Sequence, residues 1–271
     1  MKKILFPTDF SEASLSALDF ATELAKDLDA SIDLIHVFSV PFADASATPP
    51  QYIDELVTRK RKEVEEKLGE ISEKYSDVIR RTEAVYGFFT AIEIDEYAGD
   101  HNSDVIVMGT RGEHTVIEKY LGSITSEVIV RADRPVIAIP EKAVYKSGGK
   151  IAYASDHQPN EKIALKSLKE LASRMGSPMQ WVHVNPSGSA YEKSEIPPST
   201  AADPDISAWH IVKASSVMNG LDHYMEEEGI SWLALFIPRR RLFERLFHSS
   251  FTRKMSMHTH IPMIVFCDKK K

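Results

Sequence analysis

Apolar positions along this chain follow two patterns. Short continuous runs, at residues 3–7, 31–37, 105–108 and 136–139, are too brief for helices and read as strands buried on both faces. Between them, apolar residues recur at helical spacing. Leu15, Leu18, Ala21, Leu24 and Ala25 form one stripe and predict a helix over 11–27. Ser11 suits its N-cap, with Ser14 rather than Glu at the capping-box position. A long charged helix follows at 52–74, a strand near 81–85, a helix at 91–98 and another at 123–132. Strands alternating with helices predict a parallel sheet with right-handed crossovers, whose ligands sit at the carboxyl ends of the strands.

The pattern occurs twice. Residues 4–37 align without a gap on 151–184, so residue n of the first copy meets n+147. Ile4, Asp9, Leu18, Leu24, His36 and Val37 thereby match Ile151, Asp156, Leu165, Leu171, His183 and Val184. Near the ends, Arg134-Pro135-Val136-Ile137 meets Ile261-Pro262-Met263-Ile264 at n+127, so the second copy is shorter in its middle. The missing piece corresponds to the charged helix. A polar, glycine-bearing joint at 146–150 separates the copies, predicting domains at 1–145 and 150–271. Residues 185–204, rich in Pro, Ser and Ala, read as an irregular surface loop.

Composition narrows the class. With 271 residues, 43% hydrophobic and 27% charged, the chain has enough apolar mass for two packed domains. No apolar run approaches the roughly 20 residues of a membrane span. The start MKKILFPTDF meets Pro7 and Asp9 too early for a signal peptide. A single cysteine, Cys267, leaves no internal disulfide, and a reducing cytoplasm is the expected compartment. A net charge of −7 argues against nucleic acid as partner. The basic run 59–62 lies among Glu63, Glu65 and Glu66 and reads as a solvated helix face.

The candidate chemistry lies in 109-GTRGEHTVIEKYLGSITS-126. Gly109 follows a strand, so it stands at the carboxyl edge of the sheet. Gly109 and Gly112 lack a Cβ and let the backbone turn sharply and approach a ligand. Gly122-Ser123 precedes a helix whose first amides and dipole favour an anion. The hydroxyls of Ser123 and Thr125 add donors. Spacing alone leaves a second reading open, in which the glycines only make turns and Ser123 only caps a helix. The motif is neither a Walker A loop nor a dinucleotide fingerprint.

The pattern G-x2-G-x9-G-S/T after a strand ending Val-Met-Gly resembles the ATP-binding signature of the universal stress protein family. Pro7-Thr8-Asp9-Phe10-Ser11, Leu34-Ile35-His36-Val37 and Arg134-Pro135-Val136 resemble its first, second and closing strands. The resemblance spans both copies and is stronger in the first. It implies two tandem Rossmann-like α/β domains, each a five-stranded parallel sheet flanked by helices, with ATP or a related adenine nucleotide, ADP or AMP, bound by the first. Carried over by position, Asp9 and Val37 contact adenine and ribose, and Pro7 and Thr8 shape that wall. Met108 and Gly109 line the nucleotide; Gly112, Gly122, Ser123 and Ile124 hold phosphates, and Arg111 adds charge. An Asp after a strand is also a common turn or capping residue. Mg²⁺ is expected to arrive on the phosphates.

The second copy lacks the loop. Phe236-Ile237-Pro238-Arg239 stands opposite Gly109-Thr110-Arg111-Gly112, and Ser249-Ser250 opposite Gly122-Ser123. Phe236 adds bulk and Pro238 removes a donor, so this copy is expected not to bind ATP in the same manner. Arg239, Arg240, Arg241 and Arg245 read as an interface or solvated stretch, with another anion as the alternative. Family members of one domain commonly pair, so the two copies are expected to form an internal pseudo-dimer through strands 136–139 and 263–266, each covering the other's edge. A further homodimer is compatible with this. A nucleotide-binding regulator is favoured over a slow hydrolase or phosphotransferase, with a pseudo-dimeric scaffold that binds nothing as the third reading. Glu113, His114 and Glu118, the polar candidates near the phosphates, lie in the variable insert.

Overall fold

The computed structural model describes residues 1–40, 50–110, 122–155, 161–186, 190–195, 206–237 and 261–267. In the first half the order is β1 (Lys3–Pro7), α1 (Glu12–Asp27), β2 (Ser31–Phe38), α2 (Pro50–Lys74), β3 (Ile79–Tyr86), α3 (Thr90–Asp100), β4 (Val105–Gly109), α4 (Ser123–Arg131) and β5 (Val136–Ile139). The second half has β6 (Ile151–Ala154), α5 (Glu161–Arg174), β7 (Met179–Pro186), β8 (Glu192–Glu195), β9 (Ile206–Ala214), α6 (Val217–Glu228), β10 (Trp232–Ile237) and β11 (Met263–Cys267).

Local chemistry accounts for several boundaries. Ser11 caps α1, accepting from the Ser14 amide, as its position predicts. Ser216 does the same for α6 through Asn219 N, and Gly229 ends that helix at φ 63°, a left-handed conformation that glycine adopts without a Cβ clash.

All the described strands join one sheet in the order β3-β2-β1-β4-β5-β11-β10-β6-β7-β9-β8. From β1 the chain winds outward to β2 and β3, then returns to place β4 and β5 on the other side of β1. The crevice between β1 and β4 is therefore the switch point where open α/β sheets take ligands. The second half repeats the plan in mirror order along the sheet. The two halves meet where β5 pairs antiparallel with β11, Ile137 opposite Ile264 and Val136 opposite Val265. Each closing strand covers the other's edge, as the patterning predicts.

Because the sheet is continuous, its two apolar layers are too. One layer joins Ile4, Phe6 and Leu24 to Tyr153, Leu168 and Trp232 across the halves. The other joins Leu5, Ile94 and Val128 to Val182, Leu221 and Val265. Arg174 on α5 also donates to the carbonyl of Leu28, which ends α1.

The stretch expected to be an irregular loop at 185–204 differs. The strand β7 runs on to Pro186, and β8 adds an antiparallel edge strand to the five parallel strands of this half. No apolar alternation announces Glu192-Lys193-Ser194-Glu195. The strand is held instead by its ladder to β9 and by Lys193, which meets Glu227 at 2.8 Å and Glu228 at 2.5 Å on α6. Among the described residues, β8 is the only regular element between β7 and β9, where the first half has α2 between β2 and β3.

Candidate functional site

The carboxyl edge of the first half gathers most of the residues singled out above. Pro7 ends β1 opposite Ile35 of β2, and the Thr8 amide continues the ladder to the Ile35 carbonyl at 2.8 Å. Asp9 follows, at the level that this register gives to Val37. On the other side of β1, the β4 strand ends in Met108, which is buried, and Gly109, which pairs with Ile139.

Several hydrogen bonds shape this edge. Thr8 is buried, its hydroxyl lies 3.0 Å from that of Ser14, and it accepts from the Phe10 amide at 3.0 Å. Asp9 Oδ1 accepts from the Ser11 amide at 3.1 Å and the Ser11 hydroxyl at 2.6 Å. The turn-forming task considered for Asp9 is thus real. His36 Nδ1 lies 2.7 Å from the Thr8 carbonyl. A carbonyl only accepts, so this nitrogen carries the proton. Burial pushes the His36 imidazole below its ordinary range, with the Thr8 carbonyl and Asp9 opposing and Lys60 and Lys67 adding to the effect.

The loop closes at its base. Thr110 continues from β4 by donating to the Ile139 carbonyl at 2.9 Å, and its own carbonyl accepts from Gly122 N at 2.7 Å. The two ends of the segment between residues 110 and 122 are therefore joined directly. Gly122 is buried here, and a Cβ on it would meet the Thr110 carbonyl oxygen at 3.2 Å. Glycine is favoured at this point by that close approach.

Gly122 is also the N-cap of α4, and it offers no side-chain acceptor to the first turn. The ladder of this helix begins with Ser126 N donating to Gly122 at 2.9 Å. The amides of Ser123, Ile124 and Thr125 precede it and have no intrahelical acceptor. No acidic residue occupies this turn, whereas α1 has both a serine cap and Glu12. The first turn of α4 is thus the positive end of a helix dipole and itself carries no carboxylate. Ser123 and Ile124 are exposed. Thr125 is buried, and its single hydroxyl proton goes to the Gly109 carbonyl at 2.9 Å. It ties α4 to the end of β4. Arg111, Gly112, Glu113, His114 and Glu118 lie outside the described residues.

The sequence profile of the Universal stress protein family matches residues 1–140. The chain belongs to this family. Universal stress protein MJ0531 of Methanocaldococcus jannaschii is 36% identical over 140 residues, which is 51% of this chain and 81% of that protein. MJ0577 of the same organism is 27% identical over 155 residues, covering 52% of this chain and 96% of that protein. A universal stress protein of Archaeoglobus fulgidus, whose crystal structure is solved, shares the fold over 98% of both chains with a TM-score of 0.67 at 20% identity.

The second half of this universal stress protein is built differently at the matching edge. Its imidazole is retained: His183 Nδ1 lies 2.8 Å from the Ser155 carbonyl, as His36 does from Thr8. Where Ser14 meets Thr8, however, Glu161 stands. Its Oε2 accepts from the Ser155 hydroxyl at 2.5 Å and from the Tyr153 hydroxyl at 3.0 Å. This buried carboxylate was not singled out from the sequence, although the n+147 alignment sets it opposite Ser14. Phe236, one residue before the end of β10, stands where the n+127 alignment sets Gly109, the last residue of β4. Asp156, Pro238, Arg239, Arg240, Arg241, Arg245, Ser249, Ser250 and Thr252 lie outside the described residues. Among the described residues no helix is long and apolar enough to cross a membrane.

Proposed function

We propose that this protein binds ATP, or ADP or AMP, in its N-terminal half, and acts as a nucleotide-dependent stress-response regulator. The carrying observation is the closure of Thr110 O on Gly122 N at 2.7 Å. It sets the uncapped start of α4 beside the end of β4, at the mouth of the switch-point crevice. In this reading Asp9 and Val37 face ribose and adenine, against the wall of Pro7 and Thr8. Met108 and Gly109 line the nucleotide. Gly112 and the amides of Gly122, Ser123 and Ile124 take the phosphates, with Arg111 adding positive charge. Thr125 holds the helix start in place. Mg²⁺ travels on the phosphates, because a small dication that keeps several waters needs only one or two added oxygens.

The two halves act as domains 1–145 and 150–271, with the second serving as a built-in partner. The Glu161 carboxylate and the side chain of Phe236 both make its matching edge less receptive to a polyphosphate. Isothermal titration with MgATP tests the reading: it predicts one site per chain, weakened at least about tenfold by Gly122→Val. Two equal sites, or none, would overturn it. Mass spectrometry of ligand released from freshly purified protein identifies which adenine nucleotide predominates.

A further inference from the structure

Phe10 has φ 66°. This left-handed conformation is uncommon for any residue with a Cβ and an outlier for a bulky aromatic one. It occurs directly after Asp9, at the edge proposed to bind the nucleotide. What holds it there is specific. The Phe10 ring stacks on His36 with centroids 4.4 Å apart and planes 26° from parallel. Lys67 Nζ lies 5.4 Å from the centroid of the same ring. The Phe10 amide donates to the Thr8 hydroxyl. His36 therefore grips the chain twice, at the Thr8 carbonyl and at the Phe10 ring, and the two grips bracket Asp9.

We propose that the stacked pair Phe10–His36 is a positioning device that fixes the Asp9 carboxylate for the nucleotide. This inference rests on the nucleotide-binding reading given above. The left-handed turn at Phe10 lets Ser11 reach back to Asp9 Oδ1 with both its amide and its hydroxyl. A carboxylate held on both sides along the chain loses little freedom when a ligand arrives, and binding is tighter for it. The second half supplies a contrast. It keeps the histidine-to-carbonyl contact at His183 and Ser155, but its sequence has His157 at the place of Phe10. The carbonyl grip thus belongs to the shared fold, while the phenyl grip goes with the half that keeps the glycine loop.

The test uses the full chain with Phe10→Ala, Phe10→Gly, Phe10→Tyr, Asp9→Asn and the double variant Asp9→Asn/Phe10→Ala. Amide exchange at Ser11 is read without ligand, and MgATP affinity by titration. Phe10→Ala is expected to speed Ser11 exchange and weaken MgATP binding, each about tenfold, the scale of one hydrogen bond lost. Phe10→Tyr should restore both. Phe10→Gly accepts the left-handed backbone without strain and keeps the fold, yet should show the same loss because the ring is gone. The double variant should bind no more weakly than Asp9→Asn alone. Unchanged Ser11 exchange in Phe10→Ala, full wild-type behaviour in Phe10→Gly, or additive losses in the double variant would overturn the positioning role. A wild-type chain that binds no adenine nucleotide would instead overturn the proposed function, and Ser11 exchange would still decide whether Phe10 holds Asp9.

Discussion

Trp232, on β10 of the second half, meets Phe20, on α1 of the first, edge-on with ring centroids 5.3 Å apart. Tyr145, just before the joint between the halves, closes the group at 5.2 Å from Phe20 and 6.0 Å from Trp232, and its hydroxyl donates to Asp27 at 2.6 Å. Trp232 is only 1% exposed. Replacing it by alanine removes a large buried side chain, at a cost of about 3–5 kcal/mol. Since the apolar layers run through both halves, the loss should lower one shared unfolding transition rather than melt the second half alone. Calorimetry of wild type and Trp232→Ala checks this; two separated transitions would contradict a common core.

Thr125 offers a test of the helix anchor. Thr125→Val keeps the shape of the side chain but removes the bond to the Gly109 carbonyl, at an expected cost of about 1 kcal/mol. Thr125→Ser should recover most of that. The MgATP affinity of Thr125→Val should fall as well, by more than the change in melting temperature alone implies, because the phosphate-facing turn loses its tie to β4.

Gly122 separates binding from folding. A Cβ there must displace the Thr110 carbonyl by a few tenths of an ångström, and a β-branched side chain more. Gly122→Ala is expected to weaken MgATP binding, and Gly122→Val to weaken it by at least about tenfold. Denaturation of the ligand-free variants should show a smaller effect than titration does. Equal affinity for wild type and Gly122→Val would remove α4 from the phosphate site.

Stability should fall on mild acidification. Burial is the main reason that His36 and His210 are held below the ordinary imidazole value of 6.5. For His210 the acidic groups Glu228, Glu195 and Glu227 oppose the effect and Lys193 adds to it, while its Nδ1 lies 2.7 Å from the Tyr224 hydroxyl. Below about pH 6.5 the unfolded chain takes up protons at these positions before the native chain does. Their contribution is therefore fully present above that pH and is lost as pH drops toward the depressed native values. Urea denaturation at pH 7.5 and 5.5 should show a larger drop for wild type than for His36→Asn, whose amide still donates to Thr8 but does not titrate. An equal drop in both would remove His36 from the effect.

Much of this was legible in the chain itself. The cap at Ser11, the alternation of strands and helices, the doubling and the ligand edge at the carboxyl ends of the strands all follow from local periodicity and turn chemistry. The edge strand β8 was not, because its residues are polar and it is held by its ladder to β9 and by Lys193 reaching glutamates on α6. Glu161 escaped notice for a similar reason: a glutamate in the first turn of a helix reads as solvated until the hydroxyls of Tyr153 and Ser155 close on it.

Local pattern was enough to place every described strand and helix except β8, to show which half has the glycine loop, and to show which two edges need cover. These depend on side-chain periodicity and on backbone freedom within a few residues. Three features arise only in the assembled fold: β5 and β11 run antiparallel with Ile137 opposite Ile264, the Thr125 hydroxyl turns inward to Gly109, and Phe10 folds back onto His36. Each of these is a contact between groups distant along the chain. Its energy comes from burial and pairing once the layers have assembled, and no local pattern encodes it.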